Sequence, residues 1–269
     1  MNEQFDYATW EELEEKLLEL DNTAVESGHS HLLYRGQANH EWELQTTLER
    51  SGARIERLTD YYRSIAIAKT RIETFTEKAW PEIDYLTIDP HFRNYDALRN
   101  QPPPAYEFLV YLRHHGFPSP LLDWTSTPYI AAFFAFQSVP KDAERVAIWV
   151  YQEHSGSGKH TSSRTPQIKQ LGPYIRSDRR HFLQQGEYTL AVTFQEGEWC
   201  FVPHASIFND GNRQCDHLIK LTLPKSETDR VMSKLDRMNI NTYSLFQTED
   251  ALLETTWRKL KMQFGLNKG

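Results

Sequence analysis

Two short segments of the sequence carry residue types suited to binding small polar ligands. The first comprises Tyr34, Arg35, Gly36 and Gln37, and it ends a short run that predicts a strand. A planar guanidinium can bind a phosphate or a carboxylate through two hydrogen bonds, so we interpret Arg35 as ligand-binding. Gly36 would let a ligand approach the backbone closely. An equally weighted alternative makes Arg35 a structural clamp that pairs with an internal acid such as Asp123.

The second segment places an acid, an indole and two hydroxyls in succession, after an apolar pair and before a predicted helix. Its members are Asp123, Trp124, Thr125 and Ser126. Unpaired amides at a helix start favour anions, so Thr125 or Ser126 could bind an oxygen of a ribose or a phosphate. The structural alternative makes Asp123 a cap and Trp124 a core residue, and it is favoured for each residue taken singly.

Three more polar residues are candidates for the same site. His114 ends an amphipathic helix and is a candidate donor or proton carrier, although a structural role is commoner for such a histidine. Gln185 and Glu187 stand two residues apart at the start of a predicted strand, which predicts that both point to one face. Glu187 could then stabilise positive charge at an anomeric carbon while Gln185 orients a substrate. The alternative is that Gln185 and Glu187 are simply solvent-exposed polar residues at the start of the strand.

Composition excludes several classes of protein. A formal net charge of -7 argues against tight non-specific binding to duplex DNA, although Arg176, Arg179 and Arg180 leave a local basic patch open. The sequence contains no Gly-rich phosphate loop, no serine elbow and no clustered Cys/His motif, so we expect no metal cofactor. Two cysteines without a signal-like N-terminus, and no apolar stretch long enough for a bilayer, predict a cytoplasmic protein without membrane contact.

The elements that must position these residues predict an α+β fold with a mixed or antiparallel sheet and helices packed around it. We expect a single domain over residues 1–269, with its motif-bearing core at about 32–253. A capping box at Thr9 and Glu12 begins a predicted helix over 9–20, and a second helix over 248–260 closes the chain. Other predicted elements are a helix at 129–137 and strands at 146–151, 188–194 and 218–223.

Four blocks of the sequence resemble, in order, the motifs of the FRG domain, a family named for a Phe-Arg-Gly motif. These blocks are 34–37 with 42–44 and 48–50, then 112–125, then 185–186, and finally 235, 239–240 and 245–246. The resemblance covers most of the chain, and 112–125 is its most specific part. Departures include Tyr34 for Phe and Arg113 for Gln. Pro120 stands where the family commonly has Arg, which implies a lost or relocated contact if that Arg binds ligand.

The order of Arg35, Thr125 or Ser126, and Gln185-x-Glu187 also resembles the motif order of ADP-ribosyltransferases. This resemblance implies a related fold and an NAD-dependent enzyme, such as a toxin or defence effector, with NAD as substrate. Arg35 would hold the phosphates or ribose of NAD, and Thr125 or Ser126 would brace the nicotinamide ribose. Glu187 would stabilise the oxocarbenium ion and Gln185 would orient the acceptor. The remaining substrate-binding residues would be Tyr34, Gly36, Gln37, His114, Asp123 and Trp124.

Two alternatives use the same residues. A non-catalytic module would recognise a nucleotide, a nucleic acid or a protein without turning it over, with the basic patch as part of its surface. A hydrolase acting on a nucleotide or a glycosidic bond would need the same polar groups as the transferase. The sequence leaves the acceptor open between a protein and a nucleic acid.

Overall fold

The protein is described from a computed structural model over residues 3–26, 31–99, 101–154, 165–177, 179–208 and 215–266. The strands are β1 (Glu3–Asp6), β2 (Leu33–Gln37), β3 (Leu122–Thr125), β4 (Arg145–His154), β5 (Gln167–Gln170), β6 (Gly186–Gln195), β7 (Glu198–Phe201) and β8 (Cys215–Pro224). The α-helices are α1 (Trp10–Glu26), α2 (Thr47–Arg50), α3 (Leu58–Thr76), α4 (Tyr85–Phe92), α5 (Tyr106–His114), α6 (Pro128–Phe136), α7 (Arg179–Leu183), α8 (His204–Phe208), α9 (Thr228–Arg237), α10 (Thr242–Phe246) and α11 (Glu249–Gln263). Short 3-10 helices lie at Tyr95–Leu98 and Lys225–Glu227.

Within the described ranges, eight strands form one sheet in the order β1-β8-β4-β2-β3-β6-β5, and β7 pairs with β6. The β1–β8 pairing is parallel and the other described pairings are antiparallel. The central strand β4 is a continuous apolar run from Val146 to Val150, as expected for a strand covered on both faces. The predicted α+β fold with a mixed sheet is therefore confirmed.

Side chains alternate between the two faces of the sheet and enter separate cores. On one face, Tyr34, Ile148 and Leu221 pack against α1, α6 and α9, while the helical layer of α3, α4 and α5 covers the part near Tyr188. On the other face, a core that includes Trp124 packs against α8. Since the strand period is two residues, neighbours along β2, β3 and β6 are sorted to opposite faces.

Gly36 allows α6 to lie directly on β2. A Cβ atom at this position would stand 1.9 Å from the carbonyl oxygen of Ala131 and 2.6 Å from the amide nitrogen of Ala135. No side chain fits at such distances, so glycine is required by helix–strand packing. On the side where a side chain would project, the backbone of α6 fills the space, while Gly36 also lines the cleft described below, so close approach of a ligand to its backbone there stays a prediction.

The predicted elements recur with different ends. Thr9 and Glu12 form the expected capping box, because the Glu12 amide donates to the Thr9 hydroxyl while the Glu12 carboxylate accepts from the Thr9 amide. Helix α1 continues to Glu26, beyond the predicted end at residue 20, and α11 runs three residues past residue 260. The single-domain organisation stays a prediction. None of the helices in the described ranges has both the length and the apolar character needed to cross a membrane.

Candidate functional site

The candidate site is a cleft of about 390 Å³ at the point where β2 and β3 separate. These two strands pair at Tyr34 and Thr125, whereas β2 and β4 pair along five positions. Beyond Tyr34 the guanidinium of Arg35 reaches β3, where its Nη1 donates to the carbonyl oxygen of Asp123 at 2.8 Å and also to the Asp123 carboxylate. The strand separation therefore opens the sheet around one arginine.

Four arginines line this cleft, which we call the arginine cleft. They come from β2, the end of α2, the end of α5, and α7, and they are Arg35, Arg50, Arg113 and Arg180. The other residues that line it are Tyr34, Gly36, Gln37, Ala38, Trp42, His114, Asp123, Trp124, Thr125, Phe134, Ser138, Gln184, Gly186, Tyr188 and Phe246. Asp123 is the one acidic residue among these described lining groups.

Asp123 joins two of the arginines. Its Oδ1 accepts from Nη2 of Arg113 at 2.7 Å as well as from Arg35. Burial acts to raise the pKa of Asp123, but the charges of Arg113 and Arg35 outweigh it and hold that pKa well below its usual range. The structural clamp considered for Arg35 thus exists, with Arg113 as an added partner. Three charged groups are fixed relative to one another while the cleft remains cationic.

The other two arginines differ in how firmly they are held. Arg180 donates from Nη1 to the carbonyl oxygen of His114 at 3.0 Å, and its guanidinium lies 5.5 Å from the ring centre of Phe246. Arg50 is exposed at the end of α2, and its side chain has neither a hydrogen-bond partner nor an ion-pair partner in the part of the chain that the structure describes. Arg50 is thus available to an anion at the mouth of the cleft.

His114 lies at the cleft as expected. Its Nε2 is 2.5 Å from the hydroxyl oxygen of Tyr188, whose ring also stacks on His181 at 5.8 Å between ring centres. A Cβ on Gly186 would come within 3.2 Å of both His181 and Tyr188, which explains the small residue here. These contacts hold the Tyr188 ring and the His114 imidazole in a fixed arrangement on one wall.

Tyr34, Gln37 and Trp124 line the cleft with their polar atoms already engaged. The Tyr34 hydroxyl donates to Asp21 of α1. Gln37 accepts from Nε1 of Trp149 at 2.6 Å and donates to the carbonyl oxygen of Glu43 at 3.0 Å. Trp124 donates from Nε1 to the Thr189 hydroxyl at 2.9 Å. These three residues therefore act as rigid walls.

Thr125, Ser126 and Gln185 are close together but differ in access. Thr125 lines the cleft and is buried. Ser126 donates its hydroxyl to the Gln185 amide oxygen at 3.0 Å and its amide to the Gln185 carbonyl at 3.1 Å. Gln185 has a left-handed backbone with φ of 46° and precedes β6. Ser126 and Gln185 are exposed and are not among the lining residues, so the structure puts them beside the cleft.

Glu187 is not brought to the cleft. It is not among the residues that line the cleft, and because it alternates along β6 with Gly186 and Tyr188, its side chain points to the sheet face opposite theirs. There it is buried, accepts from Gln170 at 3.1 Å and lies 2.7 Å from Nε2 of His31. The expectation that Gln185 and Glu187 share one face is therefore corrected, because Gln185 stands before the strand begins.

Several cleft residues were not assigned to the site from the sequence. Arg50 and Trp42 belong to segments of the first family block, and Arg113 is a departure from the family pattern. Arg180 stood in the basic patch, where no spacing connected it to Arg35. Pro120 is buried and lines a different cavity, near Leu48 and Phe201. Among the described residues, no group of three or more His, Cys, Asp or Glu side chains could hold a metal ion.

Comparison with known proteins identifies one family. The model of the FRG domain matches residues 30–144, which include Arg35, Arg50, Arg113 and Asp123 of the cleft. The blocks at 185–186 and 235–246 lie beyond the match. A search of curated proteins and a search of solved structures each returned no match. The strand with Arg35-Gly36 and the segment ending in Asp123-Trp124-Thr125 thus both lie within residues 30–144, the part of this chain that matches the FRG domain model.

Proposed function

We propose that the FRG domain of this chain binds a nucleotide and holds its phosphates in the arginine cleft. The observation that carries this proposal is the charge of the cleft, in which four arginines face one described acid, Asp123. A single carboxylate cannot neutralise four guanidinium groups, so the cleft keeps a positive field that attracts anions. The fork of donors on arginine matches the oxygens of a phosphate group.

The walls of the cleft suit the rings of a nucleotide. Trp42, Phe134, Tyr188 and Phe246 contribute aromatic surface, and Trp42 is 47% exposed. Flat bases bind well to such surfaces because every base presents a π-face. The volume of about 390 Å³ lies within the usual range for small-molecule sites. Together, rings and arginines favour a nucleotide over a simple inorganic anion.

The nucleotide in this proposal is NAD, and the reaction is ADP-ribosyl transfer. Arg35, oriented by Asp123, would hold the diphosphate, and Thr125 would brace the nicotinamide ribose. The C–N glycosidic bond breaks, nicotinamide leaves with the electron pair, and a nucleophile of the acceptor bonds to the anomeric carbon and loses its proton. Gln185 at the rim would orient that acceptor, which is a protein or a nucleic acid. The motif order of Arg35, Thr125 and Gln185 supports this reaction.

One observation favours a non-catalytic nucleotide-binding module as a second candidate. ADP-ribosyl transfer needs a group that stabilises the oxocarbenium ion, and a carboxylate is well suited to that role. Glu187 lies on the far face of the sheet, and Asp123 is committed to Arg35 and Arg113. In this second candidate, NAD or another nucleotide binds without being consumed.

Incubation with radiolabelled NAD and mixed protein and RNA acceptors, beside calorimetric titration with unlabelled NAD, separates the two candidates. Turnover that is lost in Arg50→Ala supports the transferase, whereas NAD binding without turnover supports the module. Absence of NAD binding contradicts the transferase, and absence of binding to ADP-ribose as well contradicts the module. Glu187→Gln is expected to leave turnover unchanged. Loss of turnover in a stable Glu187→Gln variant would instead show that Glu187 acts on the substrate.

A further inference from the structure

The outer side of α11 and its C-terminal cap residue carry large apolar side chains that remain partly exposed to solvent. Leu253, Trp257, Leu260 and Phe264 are 61%, 56%, 37% and 64% exposed. Their spacing of four, three and four residues places them within an arc of about 60° on one side of a helix with 3.6 residues per turn. This spacing is the repeat by which a helix packs along a second helix. We call these four residues the α11 stripe.

The opposite side of α11 attaches the helix to the rest of the protein. Ala251 and Thr255 are buried, and the Thr255 hydroxyl accepts from the Tyr243 amide of α10 at 2.9 Å. At about 100° per residue, these two side chains point away from the α11 stripe. Packing within one chain therefore relies mainly on the inner side and leaves much of the stripe exposed.

Charges beside the stripe are arranged to complement a second copy of α11. Glu254 in the first half of the helix and Lys261 in the second half flank the stripe on the same side. The Glu254 carboxylate also accepts from the Thr242 hydroxyl at 3.0 Å and lies 3.8 Å from Arg258, but its side chain is 48% exposed and can still reach a partner helix. When two identical helices lie antiparallel, this side of one helix meets the same side of the other. Glu254 of each copy would then lie near Lys261 of the other. In a parallel pair the same side would meet Thr256 and Gln263, which are uncharged.

We propose that two copies of this chain associate through the α11 stripe, with their α11 helices antiparallel about a two-fold axis near Trp257. Such an interface is self-complementary, so it closes as a dimer and does not extend into a fibre. A single pair of helices makes a small contact, so the dimer is reversible and depends on concentration. This interface is separate from the arginine cleft and does not depend on what the cleft binds.

Analytical ultracentrifugation of the full chain over a concentration series tests the dimer. The wild-type protein is expected to approach twice the 31.6 kDa of one chain at high concentration. Trp257→Glu is expected to remain a monomer at every concentration while keeping its thermal unfolding midpoint. Leu252→Glu is the matched control, since Leu252 is 45% exposed on α11 but lies off the stripe, and it should dimerise as the wild type does.

Charge reversal tests the orientation of the helices. Glu254→Lys alone and Lys261→Glu alone each oppose like charges twice, and each is expected to raise the dimer Kd at least about tenfold. The double variant, and a mixture of the two single variants, should regain wild-type association because opposite charges face each other again. If the wild-type chain stays monomeric, the proposal is overturned. This holds even if α11 binds a different protein. Equal association by all variants overturns it as well.

Discussion

Arg113 and Asp123 are joined by a hydrogen bond of 2.7 Å from Nη2 to Oδ1, which links the end of α5 to β3. The same carboxylate accepts from Arg35, so one acid fixes two arginines that are far apart in sequence. The chain has Arg113 where the FRG pattern commonly has Gln, and Pro120 where it commonly has Arg. Arg113, a departure from that pattern, is thus one of the two arginines that Asp123 holds.

Replacing Asp123 with Asn should destabilise the protein by about 2–3 kcal/mol, because two guanidinium groups lose their counter-charge. The half-exposed position of Asp123 keeps the loss below that of a fully buried pair. Urea unfolding at neutral pH measures the change. Asp60→Asn is the control, since its ion pair with Arg63 is exposed and should change stability by less than about 0.5 kcal/mol. Equal stability of wild type and Asp123→Asn would refute the linking role of Asp123.

The ion pairs of Asp123 also predict that the stability of the protein depends on pH in the acid range. The folded pKa of Asp123 is lowered from an ordinary value of 3.8, so its contribution to stability is present above pH 3.8 and is lost as the pH falls through the folded pKa. The stability difference between wild type and Asp123→Asn should therefore shrink in acid. A difference that stays constant from pH 7 to the acid limit would contradict the assigned direction.

Replacing Gly36 with Ala should prevent stable folding or cost at least about 3 kcal/mol, because a methyl group would collide with the backbone of α6. Soluble yield and thermal unfolding measure the effect. Gly52→Ala is the matched control, since Gly52 has open space but a φ of 72°, and it should cost about 1 kcal/mol. If Gly36→Ala folds as well as Gly52→Ala, then α6 does not lie against β2 as described.

His31 should give the protein a pH dependence near neutrality. Its hydrogen bond with Glu187 outweighs desolvation and raises the pKa of His31 above 6.5. The stabilisation of the fold by this hydrogen bond is then complete below pH 6.5, and it is lost as the pH rises through the pKa of His31 in the folded protein. Thermal unfolding midpoints measured across this range should fall less in His31→Gln than in wild type. Identical pH profiles for the two proteins would show that the His31–Glu187 pair does not stabilise the fold.

Local patterns in the sequence predicted much of the fold. The capping box of α1, the strand before Gly36 and the apolar run of β4 depend on neighbours within a few residues, so their existence can be derived from spacing. The cleft depends on contacts between distant segments. Nothing in the spacing of Arg50, Arg113 and Arg180 indicates that the ends of α2 and α5 and the start of α7 meet at one place.

Glu187 shows a second reason for failure. Its face depends on where β6 begins, and a shift of one residue at a strand start reverses the face of every side chain that follows. Gln185 has a left-handed backbone and lies outside the strand, so its two-residue spacing from Glu187 carried no information about the face. A left-handed backbone is uncommon for a residue other than glycine, and no local pattern around Gln185 indicates it.

Calorimetric titration with ADP-ribose tests nucleotide binding by the arginine cleft most directly. Wild type should bind ADP-ribose at least about tenfold more tightly than adenosine, which has no phosphate, since hydrogen bonds to charged groups contribute about 1.5–3 kcal/mol. Arg50→Ala should weaken binding of ADP-ribose about tenfold without changing stability. Arg54→Ala, which removes an exposed arginine outside the cleft, should match wild type. Equal affinity for ADP-ribose and adenosine, or no binding of either, would contradict the proposal.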